Sequence, residues 1–478
     1  MNVSHLNIGI IHSLIGKNDG VSIVIDQSVE AMVKYMNIPL GNIFYLAAHS
    51  SPRFNTETND IFWHKSPLHK RIIQYFCEEP PCWLEGEIME NAFRAKEIIA
   101  DFVERHQIDL LIAHNTSHPY NFITAVGLGL YLEETRNAGF IWPRVLVWWH
   151  DSFFERPRFA NPNPVIKKYL KYLPGTLING VVFINRDQIK LGRKYFQAYG
   201  KSNLPTFFKK HTAVIPNTCD ILWNWKAPDW DSPQMIAPPR DNYNYTFFED
   251  IGLIELVRAQ GFEIEDSIIL LQHTRIVPRK KIETAIDFAF KLEKKFKNDK
   301  CIVLLISGHS GDEQVEYKKF LREYHWEKSS RDPEANVILL FGEDRILSHR
   351  DIIVDRKYYK FAEVPSIVAQ HGGLGTFFSD IEGYGNNLLE MVSCGLPAVI
   401  NRYPIYQQDI ERLGFELPGI TDGELTDDVV DAAYKLLINP ADRNEAVHHN
   451  LQVLDKRLNH KVMARKIKPL IENIFFRR

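Results

Sequence analysis

Residues 378–397 read FSDIEGYGNNLLEMVSCGLP. The stretch opens on the apolar end of a strand, passes through a glycine-containing loop and enters a short amphipathic helix. Gly395 suits the left-handed position just past a helix, and Pro397 prevents continuation. Strand, glycine loop and helix in this order make a βα unit. It carries two carboxylates, Glu382 in the loop and Glu390 in the helix, with seven residues between them. The loop exit and first turn, Gly385, Asn386, Asn387, Leu388 and Leu389, present backbone N–H groups that suit an anion such as a diphosphate. Glu382 can accept hydrogen bonds from sugar hydroxyls, and Glu390 can take a ribose diol with its two oxygens.

Outward from this unit, short apolar runs alternate with amphipathic stretches along the whole chain, the pattern of a mainly parallel α/β fold. The first half predicts strands at 6–12, 43–47, 110–113, 145–149, 180–184 and 212–215, with helices at 20–36, 87–105 and 120–135. The second half predicts strands at 268–272, 302–306, 337–341, 376–379 and 398–401, with helices at 250–260, 282–295 and 387–394. Between the halves, residues 223–245 read WNWKAPDWDSPQMIAPPRDNYNY, rich in proline and aromatics, a linker or insertion. The expected organisation is a first domain over 1–220, a linker over 221–250, a second domain over 251–455 and a C-terminal helix over 456–478 packing back toward the first domain.

Open α/β sheets bind ligands beyond the carboxyl ends of their strands. Residues 272–281, QHTRIVPRKK, follow a predicted strand and carry Arg275 and Lys280, cations suited to a departing diphosphate. In the first half, Gly16 and Gly20 bracket the loop GKNDG after the first strand. WWHDSFF, 148–154, puts His150 and Asp151 after another strand. Arg156 and Arg158 follow, a pair suited to an anionic acceptor such as a phosphorylated sugar or a glycerate derivative. Gly308 and the dipeptide Phe341–Gly342 also follow strands, and Pro216–Asn217 marks the end of the first half.

Together these segments resemble the family 4 glycosyltransferases, retaining enzymes of the GT-B fold that include sucrose-phosphate synthases and bacterial mannosyltransferases. The resemblance is strongest over 267–400 and weakest at 50–90 and 223–250. It implies two facing Rossmann-like domains with a cleft between them, whose closure excludes water. It implies a hexosyltransferase moving glucose or mannose from a nucleotide sugar (UDP-glucose, GDP-mannose or ADP-glucose) to a small hydroxylated acceptor. Glu382 and Glu390 match the family's E-x7-E pair, and Arg275 and Lys280 its diphosphate-holding R-x4-K pair. His150 matches the histidine placed against the donor sugar, and the loop at Gly20 the glycine loop near phosphate and acceptor. Gly308 would line the nucleotide site and Phe341–Gly342 the base. Two departures stand out: Lys281 occupies a position where the family often has glycine, and GKNDG is poorer in glycine than usual. Asp229-Trp230-Asp231 is a D-x-D, but it sits in the linker and not after a strand, so no essential metal is expected.

Composition narrows the alternatives. The chain has 478 residues, 45% hydrophobic and 24% charged, with net charge −3, so nothing global favours nucleic acid. The basic run from Lys291 to Lys300 has helical spacing and reads as a solvated face. Five cysteines, with Cys77 and Cys82 lacking a second ligand pair, suit a reducing compartment rather than a zinc site. Residues 1–11 lack the basic flank and long apolar run of a signal peptide and no apolar run reaches membrane length, so a cytoplasmic location is expected, with peripheral membrane contact left open. The rival readings on this architecture are a sugar phosphorylase, a nucleotide-sugar epimerase and a non-catalytic sugar-nucleotide binder. GKNDG lacks the G-x-G-x-x-G spacing of a dinucleotide enzyme.

Overall fold

The computed structural model describes residues 3–17, 19–51, 54–221, 242–308 and 315–476. Contacts divide the chain into two units: Met1–Thr218 with His460–Arg478, and Cys219–Asn459. Most of the stretch read as a linker, residues 222–241 with Asp229 and Asp231, lies outside the described residues.

The first unit is built on a seven-stranded sheet. Its strands are β1 (Ile8–Ile11), β2 (Ile43–Ala47), β3 (Thr56–Thr58), β4 (Leu110–His114), β5 (Arg144–Trp149), β6 (Gly180–Phe183) and β7 (Thr212–Val214). Their order is β3-β2-β1-β4-β5-β6-β7, and every pairing is parallel. Strands β1, β4 and β6 are buried along their whole length, so they are apolar runs rather than alternating ones. Helix α1 (Gly20–Met36) leaves β1, with Asp19 as its N-cap. Helices α2 (Leu84–Arg105) and α3 (Phe122–Asn137) pack together, and a Cβ on Gly127 would come within 2.7 Å of Ala95 Cβ.

The second unit repeats the plan. Strands β8 (Ser267–Gln272), β9 (Cys301–Ile306), β10 (Val337–Phe341), β11 (Leu374–Phe377), β12 (Ala398–Asn401) and β13 (Gly419–Ile420) form a parallel sheet in the order β10-β9-β8-β11-β12-β13. Helix α4 (Ile282–Phe296) follows β8, and helix α5 (Asn386–Ser393) follows β11. The predicted helix at 250–260 is two helices, Phe247–Asp250 and Leu253–Ala259, because Gly252 between them has φ +72°. The strand expected at 376–379 lies earlier, at Leu374–Phe377, with Leu374 in register with Leu270.

The last helix, α6 (His460–Phe476), belongs to the first unit and packs along α1. Its Met463, Ile467, Leu470 and Ile471 are buried, and Ile474 fills the space over Gly180.

In each sheet the chain builds outward from its first strand and then returns to that strand's other side. Each sheet therefore has a switch point, between β1 and β4 and between β8 and β11, where an open sheet binds its ligand.

Candidate active site

At the second unit's switch point, Lys280 ends a short 3-10 turn, Pro278–Lys280, after β8. Its side chain is buried, with the ammonium 5.2 Å from the centre of the Phe377 ring and ion-paired to Glu382. Arg279 Nη1 lies 3.1 Å from the other Glu382 oxygen and donates to the Ile381 carbonyl at 2.7 Å. Burial lowers the Lys280 pKa to about 8, although Glu382 pulls the other way. Burial also works against the Glu382 charge, but Lys280 and Arg279 outweigh it and hold the carboxyl below its usual range. The two residues the sequence assigns to sugar and to phosphate are thus brought together. Arg275 is exposed on the loop preceding this turn, and its charge reaches Lys280.

Gly308, just past β9, packs on that loop: an added Cβ would sit 1.9 Å from the Thr274 carbonyl oxygen. Gly385 starts α5 at φ +112°, and a Cβ there would meet the Tyr403 hydroxyl at 2.3 Å. Leu388 and Leu389 are buried and donate their amides to the Gly385 carbonyl, at 3.1 and 3.3 Å. Asn386 and Asn387 form the first turn at the ligand end of the sheet, and Asn387 Nδ2 donates to the His273 carbonyl at 2.5 Å. Glu390 is buried, with Oε2 3.3 Å from His273 Nε2. Phe341 ends β10 between Lys318 and Arg322, which lie 4.9 and 5.2 Å from its ring centre.

The first unit holds the other predicted residues. His150 is buried after β5, with Nε2 3.0 Å from His114 Nδ1. His114 ends β4 and lies beside both His150 and Trp148, each ring centre 5.3 Å away, while those two rings are themselves 6.3 Å apart. His12, just after β1, places Nδ1 3.3 Å from the His114 carbonyl. Burial, then the neighbouring His12 charge, lowers the His150 pKa to about 3, so the imidazole is neutral at any working pH. The Asp151 carboxylate does not hydrogen-bond to the His150 ring. It pairs with Arg156 and faces His118 Nε2 at 3.8 Å. Arg158 lies over the Tyr120 and Phe159 rings and donates to the Tyr120 hydroxyl at 3.1 Å, and the charges of both arginines reach His118.

The glycine loop is capped from within. Gly16 has φ +64° and its Cα packs on Phe54, while Gly20 is exposed at the first position of α1. The amides of Val21 and Ser22 donate to Asp19 Oδ1, both at 3.1 Å. The anion at this helix start is therefore the protein's own carboxylate. Beside the loop, at the carboxyl ends of β1, β2 and β3, opens a pocket of about 630 Å³ lined by Lys17, His49, Ser50, Thr58 and Trp63 among others.

Sequence reasoning missed His12, His114, His273, Asp19 and Trp63. A signal for the first three was present. The apolar runs at β1, β4, β5 and β8 each finish at or one residue before a histidine: His12, His114, His150 and His273.

No protein-family model matches the chain. Mannosylglucosylglycerate synthases from Petrotoga mobilis and Thermotoga maritima are each 26% identical to it, over 86% and 94% of this chain and 86% and 95% of their own. Among solved structures, HepE of Anabaena in complex with UDP and glucose superposes with TM-score 0.57 at 13% identity, covering 98% of this chain and 100% of that one. Sucrose-phosphate synthase of Thermosynechococcus elongatus gives TM-score 0.57 at 13% identity, covering 98% and 99%. The catalytic domain of Arabidopsis thaliana starch synthase IV, bound to ADP and acarbose, gives 0.58 at 12%, also covering 98% and 99%. At these identities the solved structures establish the fold, which is GT-B.

Proposed function

We propose that this chain, a glycosyltransferase of the GT-B fold that draws on a nucleotide sugar, transfers mannose from GDP-mannose to an acidic glucosylglycerate acceptor with retention at the anomeric carbon. The observation that carries this reading is the likeness, over most of both chains, to two enzymes named for a mannosylated glucosylglycerate.

The second unit supplies the donor side. Lys280 and Arg275 hold the diphosphate, with the first turn of α5 contributing backbone N–H groups. Glu390 binds the ribose diol. Glu382 accepts from sugar hydroxyls and keeps the Lys280 ammonium aimed. The bond from the anomeric carbon to the phosphate oxygen breaks with its electron pair going to that oxygen. The acceptor hydroxyl adds to the same face, and its proton passes to the departing phosphate oxygen. The protein's part is positioning and charge stabilisation, with no protein nucleophile. His150, neutral, offers hydrogen bonds beside the sugar.

The first unit supplies the acceptor side. Trp63 is half-buried in the pocket beside the glycine loop, and Lys17 makes no ion pair among the described residues. An aromatic face for a pyranose ring and a cation for a carboxylate suit a glycosylated acid.

The test is direct. The purified protein is given GDP-mannose, UDP-glucose or ADP-glucose with glucosylglycerate, and the product's anomeric configuration is read by NMR. An α-mannosyl product from GDP-mannose is expected, with turnover surviving EDTA. Turnover of UDP-glucose alone would overturn the donor, a β-linked product would overturn retention, and loss in EDTA restored by Mg²⁺ or Mn²⁺ would establish a metal. Cleavage dependent on inorganic phosphate would move the reading to a phosphorylase.

A further inference from the structure

His273 is the first residue past β8, and Glu390 lies on the helix that follows β11, the neighbouring strand across the switch point. The His273 ring is sealed from solvent and held on two sides. It stacks on Phe361 with centroids 3.9 Å apart and planes 16° apart, and Nδ1 lies 2.8 Å from Ser307 Oγ. Its remaining nitrogen, Nε2, faces Glu390 Oε2 at 3.3 Å. Both atoms are buried, and neither makes a hydrogen bond to any other described group. A buried carboxylate oxygen or ring nitrogen without a partner is costly, so each atom here is the other's complement. A small rotation of the carboxylate aligns the contact. If the Ser307 hydroxyl donates to Nδ1, a ring hydrogen on Nε2 is the donor that Oε2 needs.

The same residue grips the helix a second time. Asn387 Nδ2 donates to the His273 carbonyl, and Asn387 lies one turn before Glu390 on α5. Side chain and backbone of one strand-end residue therefore hold both the helix that carries the carboxylate and the carboxylate itself.

We propose that His273 is a positioning residue for donor binding. By holding Glu390 Oε2 it leaves the second carboxylate oxygen aimed at the ribose hydroxyls of the nucleotide sugar. This rests on the reading above that Glu390 binds the ribose.

The test pairs side-chain deletion with hydroxyl deletion. His273→Phe keeps a stacking ring but loses Nε2, and His273→Gln and Ser307→Ala are second variants should the first fail to fold. Each is compared with wild type and Glu390→Ala for donor KM and kcat, using GDP-mannose and its 2′-deoxyribose and 3′-deoxyribose analogues. In wild type, removing a hydroxyl that meets a carboxylate should raise donor KM about tenfold or more. In His273→Phe, donor KM for the complete nucleotide sugar should rise by about the same factor with kcat little changed, and the further effect of removing a hydroxyl should largely disappear. A merely structural role would alter Tm and leave the hydroxyl effect intact. A folded His273 variant that keeps the full hydroxyl effect, while Glu390→Ala loses it, overturns the proposal and spares the ribose reading. A Glu390→Ala variant that keeps the full effect overturns the ribose reading itself, and the proposal with it.

Discussion

The Lys280 ammonium and the Glu382 carboxylate form a buried ion pair between two loops 102 residues apart in sequence. With the Lys280 pKa at about 8, kcat/KM for the donor should fall as pH rises through that value and the ammonium is lost. At saturating donor the limb should move to higher pH, because a bound diphosphate favours the charged form. Lys280→Arg should flatten the limb, since a guanidinium stays charged. The fall is not unfolding: a lysine with a depressed folded pKa makes the fold more stable as pH climbs from about 8 toward the ordinary lysine value of about 10.4. Parallel pH profiles of donor kinetics and Tm separate the two.

His150 gives the opposite expectation. With a pKa of about 3, it contributes no acid limb near neutral pH. His150→Ala should lower kcat by roughly 10²-fold, the scale of losing one well-placed hydrogen-bonding group, without changing the shape of the profile between about pH 5 and 8. A lost acid limb in the variant would show that the wild-type imidazole titrates there.

Gly308→Ala should damage the proposed donor site without touching a charge. The new methyl would overlap the Thr274 carbonyl, so the Arg275 loop must shift, at about 1–3 kcal/mol. Donor KM should rise and Tm fall. Gly41→Ala, where a Cβ meets nothing within 4 Å, is the control, and its Tm and KM should stay near wild type.

On the proposed acceptor side, Trp63→Ala should raise acceptor KM and leave donor KM unchanged. Lys17→Met should erase most of the preference for an acidic acceptor over its neutral amide. Steady-state kinetics with both acceptors decide this, and a Lys17 variant that keeps the preference removes the lysine from the carboxylate contact.

Lys281 adopts φ +49° at the start of α4, the left-handed region in which glycine is at ease. Lys281→Gly should therefore raise stability by about 1 kcal/mol, the relieved strain exceeding glycine's greater unfolded entropy. Chemical denaturation measures it. Donor kinetics should hold, because Lys281 reaches Glu283 and Asp380 rather than Glu382.

The parallel strands were legible because burial on both faces makes them continuous apolar runs, as in CIVLLI, Cys301–Ile306. Strand β3, Thr56–Thr58, was not, because it is a short polar edge strand. The hairpin of Asp351–Ile353 with Arg356–Lys360 was also hidden. Its turn residues, Val354 and Asp355, both have positive φ but lack the Asn-Gly or Asp-Gly signature. The early start of β11 was masked by Gly373 and Gly375. Gly375 is there because Met391 Sδ of α5 would sit 2.7 Å from a Cβ. In the site, residue type disclosed the charges at Arg275, Lys280, Glu382 and Glu390. It did not disclose that Lys280 and Glu382 pair with each other, a contact set by the β8–β11 neighbourhood.

Helix α6 returns to a unit whose sheet was finished at Val214, and Lys466 and Asn473 donate to carbonyls at Val214 and Lys210. The order of synthesis and the order of completion therefore differ. The second unit is one contiguous stretch and can close as soon as the ribosome has passed it. The first, though made earlier, must hold an open apolar wall along α1 until residues 460–476 emerge. A nascent chain stalled before that point exposes the wall, and that is where a holding chaperone would find it.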